Sequence, residues 1–239
     1  MKGPRIIGHR GACGHAPENT LASIRRAAEL GARWVEFDTM LSGDNQVILF
    51  HDDSLERTTG IKANVADTDW KDLQTLDAGS WFSDQFAGER IPLLSEALDL
   101  LGELGLGAVV EIKPSKGRDK ETAQLTVDMI KAHWPPSLPG PILSSFNDPA
   151  LVVARDYAPD IPRALNMWQD LKDWQTRLQK LACSAFHCKN ELLDKRTVKA
   201  IVAAGYDLRC FTINDIERAE ILFTWGARSI FTDFPERFV

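Results

Sequence analysis

The chain has 239 residues, with 28 Lys and Arg against 34 Asp and Glu for a formal net charge of −6; 44% of residues are hydrophobic and 26% charged. This composition excludes a disordered chain, and the scattered basic residues form no run able to track a phosphate backbone, which excludes nucleic acid as a partner. An anionic substrate would be repelled by the net field, so a few placed cations or a metal ion would have to draw it in.

The length suits one domain, residues 1–239, built on a single large core. "RIIGH" is the first of nine short apolar runs suited to buried parallel strands. The loop "HRGACGHAPENT" follows, kept slim by Gly11, Ala12 and Gly14. Pro17 stiffens its exit, and Asn19 or Thr20 caps the helix that reads "TLASIRRAAELG", Asn19 being also placed to hold the loop.

The next two runs are "RWVEFDTM" and "QVILFHD", separated only by Ser42 to Asn45. A parallel crossover needs a dozen or more residues, so these two form an antiparallel hairpin. A two-residue turn at Gly43-Asp44 or at Asp44-Asn45 would set His51 opposite Glu36 or Asp38, on the same face; a three-residue loop would turn it away.

Residues 53–91 carry turn residues and no long apolar period, and read as an insertion over the face holding the C-terminal strand ends. Its Trp70, Trp81, Phe82 and Phe86 are expected to form the insertion's own small core. Beyond it, "GAVVEIK", "PILSSF", "RALNMW", "SAFHC", "LRCFTIN" and "SIFTD" complete the strands, and "LLSEALDLLGELG", "ETAQLTVDMIKAHW" and "DKRTVKAIVAAG" alternate with them as amphipathic helices. Trp134 to Pro141 reads as a stiff loop, and Trp168 is a candidate for a pocket wall. Setting the hairpin's return strand aside leaves eight parallel strands, the count of a (β/α)8 TIM barrel.

Cys13, Cys183, Cys188 and Cys210 have no C-x-x-C spacing and read as free thiols. No apolar run approaches the ~20 residues of a membrane span, and the first residues lack the apolar core of a signal peptide. A cytoplasmic protein without stable membrane association is expected, with self-association through the insertion left open.

Glu36 and Asp38 lie two apart on a strand and so point the same way, as do Glu111 and Lys113. Charges in runs this apolar need compensation by one another, a cation or a ligand. Three converging carboxylates with no neighbouring Cys suit a hard divalent cation, Mg²⁺ or Ca²⁺; the alternative is simple ion pairing with Arg10 or Lys113. His9 ends the first strand, and with His51 it flanks these carboxylates as a candidate general acid and base. His15 sits in a loop, His133 on a helix, and His187 ends a strand. Arg10 and Lys113 supply the cations that a phosphate needs.

The set "HRGACGHAPENT", "VEFDTMLSGDNQVILFHD", "RTTG", "IPLLSEAL", "VVEIKP", "ILSSF", "FTIN" and "IFTDFP", in this order over essentially the whole chain, closely resembles the glycerophosphodiester phosphodiesterase family. The resemblance implies a barrel with a small insertion after its second strand. It also implies hydrolysis of a small-molecule phosphodiester to sn-glycerol 3-phosphate and an alcohol such as choline or ethanolamine. It makes His9 and His51 the acid/base pair and Glu36, Asp38 and Glu111 the ligands of a divalent metal, with Arg10 on the phosphate and Lys113 on the substrate. Phe211 stands where family members often carry tryptophan, a departure that bears on substrate preference. The attacking group is water, or the neighbouring glycerol hydroxyl through a cyclic phosphate. A phospholipase acting on lysophospholipids would need an exposed apolar path for the acyl chain, and a silent phosphodiester-binding barrel would have no use for an acid/base pair.

Overall fold

The computed structural model describes residues 4–239. Its strands are β1 (Ile6–Gly8), β2 (Trp34–Leu41), β3 (Val47–Leu49), β4 (Gly107–Ile112), β5 (Ile142–Ser145), β6 (Arg163–Met167), β7 (Ala185–Lys189), β8 (Asp207–Phe211) and β9 (Ser229–Thr232). β1 pairs in parallel with both β9 and β2, closing eight parallel strands into a barrel, while β3 lies antiparallel on β2. Helix α1 (Leu21–Glu29) follows β1, and the short α2 (Glu56–Thr59) and α3 (Trp70–Leu73) lie between β3 and α4 (Leu94–Leu104). The remaining crossovers are α5 (Asp119–His133), α6 (Asp148–Tyr157), α7 (Trp174–Lys180), α8 (Lys195–Ala203) and α9 (Ile216–Trp225). The fold is therefore a TIM barrel, as the strand count requires.

The strand period of two sorts the barrel interior into layers. Ile7, Val109, Ile142, Ala164, Ala185 and Phe231 form one buried apolar cluster. Two residues further along their strands stand His9, Glu111, Ser144, Asn166 and His187, so a polar layer rests on an apolar floor. Two larger apolar clusters pack strands against helices outside the barrel, including Val35, Phe37, Leu98 and Leu101 in one and Leu165, Phe186, Ile201 and Leu208 in the other.

The hairpin differs from the expected geometry. Leu41 pairs with Val47 and the Ser42 N–H donates to the Gln46 carbonyl at 3.0 Å, which leaves Gly43, Asp44 and Asn45 as a three-residue loop. Asn45 adopts φ +69°, the left-handed position that closes such loops and that asparagine tolerates. Continued in this register, His51 would lie opposite Phe37 and face away from Glu36 and Asp38. The ladder stops first: after the Phe50 N–H donates to the Asp38 carbonyl at 3.2 Å the chain leaves strand geometry, and His51 turns into the cavity. The residue reaches the carboxylates through the end of the strand, not through its pairing.

The outer edge of β3 is covered, since the Leu49 N–H donates to the Pro92 carbonyl at 2.9 Å. Between them, Leu55, Val65, Leu73, Ala78 and Ile91 pack on Met40, Ile48 and Phe50, and Trp70 joins this small core. Trp81, Phe82 and Phe86 stand apart from it as an edge-to-face chain with centroid spacings of 5.8 and 5.6 Å. Only one of the four aromatics expected in this core enters it.

Gly8 sets how closely the first loop folds over its strand. A Cβ there would sit 2.2 Å from the Gly11 carbonyl oxygen, a backbone atom with no free path away. Gly8→Ala is expected to cost about 1–3 kcal/mol in urea unfolding through overpacking. It should also displace the loop carrying His9 and Arg10; unchanged unfolding would show that the loop yields freely.

Candidate active site

The polar layer opens into a cavity of 640 Å³ at the C-terminal strand ends, whose lining includes His9, Arg10, Glu36, Asp38, His51, Glu111, Lys113 and Phe211. All eight sequence-derived candidates therefore meet in one place. Parallel pairing sets Asp38 beside Glu111, with Glu36 one step below on the same face of β2. One oxygen from each of these three buried carboxylates lies within 4.8 Å of the others.

Each carboxylate has a fixed donor. The Arg10 N–H donates to Glu36 Oε2 at 2.9 Å, Asn19 Nδ2 to Asp38 Oδ2 at 2.9 Å, and Asn166 Nδ2 to Glu111 Oε2 at 2.9 Å. Asn19 also accepts the Asp38 N–H at 3.1 Å, while Thr20 caps α1 by accepting from the Ser23 N–H. Thr20 is thus the cap and Asn19 the brace.

The cations do not neutralise the cluster evenly. Arg10 Nε lies 3.4 Å and Lys113 Nζ 3.8 Å from Asp38, whereas Glu36 and Glu111 have no ion-pair partner among the described residues. Burial opposes ionisation of Asp38, yet Arg10 and Lys113 hold its carboxyl below the ordinary range. Burial, then the nearby Asp38 charge, pushes both Glu36 and Glu111 up to about 8. This excess of buried oxygen donors, with one carboxylate firmly ionised, fits a hard divalent cation, which would supply the missing positive charge.

The two histidines are held alike. His9 Nδ1 lies 2.7 Å from Asp233 Oδ1, and His51 Nδ1 lies 2.5 Å from Asp52 Oδ1, leaving Nε2 of each ring for a substrate. Burial resists the Asp233 charge, but His9, Cys13 and Asn214 hold its carboxyl well below the usual range. Burial is also the main reason the His51 ring is lowered from 6.5, against the opposing pull of Asp38. His187 is buried with Nε2 3.2 Å from Arg209 Nη1, and burial followed by that charge keeps its ring neutral. It lines the cavity as an apolar-packed wall residue against Phe231, with ring centroids 4.9 Å apart.

Sequence reasoning missed the connecting charges. Arg10 Nη1 donates to Glu18 at 2.7 Å, Arg57 donates twice to Glu18 at 2.8 Å, and Arg57 Nε donates to Asp52 at 2.5 Å. A chain of four ion pairs and hydrogen bonds thus joins Arg10 to His51. Glu18, Arg57, Asp52 and Asp233 all fall within quoted segments, "PENT", "RTTG", "FHD" and "IFTDFP"; the polar residue next to or near each candidate was the available signal. Asn166 lies in the run "RALNMW", a polar side chain between apolar neighbours.

A (β/α)8 barrel with an acidic centre between two carboxylate-held imidazoles has the acid/base groups and the oxygen donors that a hydrolase would use. The family described as "Glycerophosphoryl diester phosphodiesterase family" matches residues 9–237. A glycerophosphodiester phosphodiesterase of Caldanaerobacter subterraneus is 31% identical over 98% of this chain and 96% of its own. One from Bacillus altitudinis is 30% identical, covering 98% and 96%. The structure of a phosphodiesterase of Oleispira antarctica, solved with the product sn-glycerol-3-phosphate, superposes with a TM-score of 0.95 at 42% identity over 98% of this chain and 94% of that one. The chain belongs to the glycerophosphoryl diester phosphodiesterase family and is by class a phosphoric diester hydrolase.

The carboxylate cluster has a stability consequence with a defined sign. Glu36 and Glu111 bind protons more tightly folded than unfolded, so the metal-free protein loses stability as pH rises from the ordinary 4.5 through about 8. Glu111→Gln should stabilise the metal-free protein on the order of 1 kcal/mol near the upper end of that window, and not below its lower end. Thermal unfolding across pH checks this; equal melting of the two proteins throughout would mean the carboxylates are not strained.

Proposed function

We propose that the protein hydrolyses glycerophosphodiesters, such as glycerophosphocholine or glycerophosphoethanolamine, to sn-glycerol 3-phosphate and the free alcohol. The single observation carrying this reading is the pair of imidazoles, each fixed at Nδ1 by a carboxylate, beside three buried carboxylates in one open cavity. The relative solved with sn-glycerol-3-phosphate supports the product assignment.

Glu36, Asp38 and Glu111 would hold Mg²⁺ or Ca²⁺. When bound, the cation supplies Lewis-acid stabilisation of charge on phosphate oxygen. Arg10 and Lys113 add fixed positive charge, Arg10 being locked by Glu18 so that its guanidinium needs no reordering during reaction. His9 and His51 divide proton transfer, one taking the proton of the attacking group and the other supplying one to the leaving alcohol. His51, kept neutral by burial, is suited to accept. Phe211 meets Phe146 edge to face at 5.8 Å, and Phe146 meets Trp168 at 6.4 Å, an apolar wall for the glycerol or the alcohol.

In the same reading the chain is one domain, with residues 53–91 an insertion over this face. The segment delivers Arg57 to Glu18 and Asp52, which supports that division. No helix among the described residues is long and apolar enough to cross a membrane. Four unpaired thiols favour a reducing, cytoplasmic setting.

The test is release of sn-glycerol 3-phosphate from glycerophosphocholine by chelator-stripped protein, with Mg²⁺, Ca²⁺ or neither restored and lysophosphatidylcholine in parallel. Release is expected only with a cation; equal rates without one would sink the metal assignment. Affinity for the cation should rise with pH toward about 8 as Glu36 and Glu111 give up their protons, a trend that titration calorimetry would reveal. His51→Ala should lower kcat by roughly 10²–10⁴ with its melting temperature retained, and Asp52→Asn by less. Undiminished kcat in His51→Ala would remove that residue from the mechanism.

A further inference from the structure

Behind the cavity a second set of ligating atoms converges. Cys13 Sγ lies 2.9 Å from Asp233 Oδ1 and 3.7 Å from His9 Nδ1, and the last two are 2.7 Å apart. The three side chains are half-buried, so an ion can reach them.

The backbone holds these donors together before any ion arrives. His9 and Asp233 follow the paired strands β1 and β9, with the His9 N–H donating to the Thr232 carbonyl at 2.8 Å. Arg10 at φ +47° and Gly11 at φ +86° turn the loop back on itself. The Gly14 N–H then donates to the Asp233 carbonyl at 3.1 Å, which keeps Cys13 beside His9 Nδ1 and the Asp233 carboxylate. Zinc bonds of about 2.0–2.3 Å space tetrahedral donors roughly 3.3–3.6 Å apart. Opening the two Asp233 contacts by about half an ångström would reach that spacing.

The donor chemistry separates this place from the three-carboxylate centre. Imidazole, thiolate and carboxylate together suit Zn²⁺ or Co²⁺, whereas Mg²⁺ and Ca²⁺ take oxygen donors.

We propose that His9, Cys13 and Asp233 form a second metal site, selective for a borderline transition-metal ion such as Zn²⁺ with solvent as fourth ligand, and that its occupation arrests turnover. On binding, the Cys13 thiol proton is released to solvent and the sulfur lone pair forms the metal bond. The His9 ring proton moves from Nδ1 to Nε2 as Nδ1 binds the ion, leaving the tautomer opposite to the one Asp233 enforces. The arrest rests on the proposed role of His9 in the reaction; the binding does not.

Cobalt is the probe, because thiolate ligation gives a near-ultraviolet charge-transfer band that oxygen ligation lacks. Wild-type protein with excess Mg²⁺ in the carboxylate centre is titrated with Co²⁺, alongside Cys13→Ser, which keeps a hydroxyl donor for Asp233. The band is expected in the wild type, lost in C13S and displaced by Zn²⁺. Its absence from the wild type, or its persistence in C13S, overturns the site. Zn²⁺ inhibition of Mg²⁺-supported hydrolysis, normalised to each protein's own rate, is expected to weaken in C13S by more than the roughly 10–100-fold that an outer-shell loss gives. Equal inhibition of both, with the cobalt band as expected, overturns the arrest alone.

Discussion

Three carboxylates buried within 4.8 Å of one another repel, and the arrangement of the barrel mouth follows from that constraint. Their strands would place them together in any parallel barrel with this sequence, but burial and like charge would empty the site of ionised groups unless each carboxylate had a donor. The loop after β1 and strand β6 provide them: the Arg10 backbone for Glu36, Asn19 for Asp38 and Asn166 for Glu111. What remains uncompensated on Glu36 and Glu111 is negative charge that a cation would neutralise, so in the proposed reading the strain of the metal-free state and the capacity to bind are one property.

The same economy governs the histidines. Each imidazole is fixed by a carboxylate that is itself held: Asp233 by Asn214 at 2.6 Å and Asp52 by Arg57. Through Glu18, Arg57 also reaches Arg10, so the loop after β1 and the segment after β3 are positioned together. A barrel enzyme gains catalytic precision when groups from separate loops are locked by shared partners, since no single loop is rigid by itself. The small apolar core beneath the segment after β3 anchors its end of this lock.

Much of this was legible in the amino-acid order because the signals are local. A spacing of two put Glu36 with Asp38 and Glu111 with Lys113, and a gap of four residues forced the hairpin. Other features were not legible. Asn45 in the left-handed region changed the turn length, and the exit of the chain from strand geometry, not the register, brought His51 to the cavity. Trp81, Phe82 and Phe86 have the composition of a core but pack on one another outside it.

By itself the sequence determined the alternation of strand and helix, the count of eight parallel strands, and which charged residues lie on strands too apolar to bury them idly. These follow from periodicity and from the cost of desolvating charge, both of which act over a few neighbouring residues. Only the tertiary structure decided the partners: Asp233 for His9 across 224 positions, Asn166 for Glu111 across 55, and Arg57 for Glu18 across 39. Closure of the barrel brings such residues together, and nothing in the local order of either partner records the distance at which the other will be found.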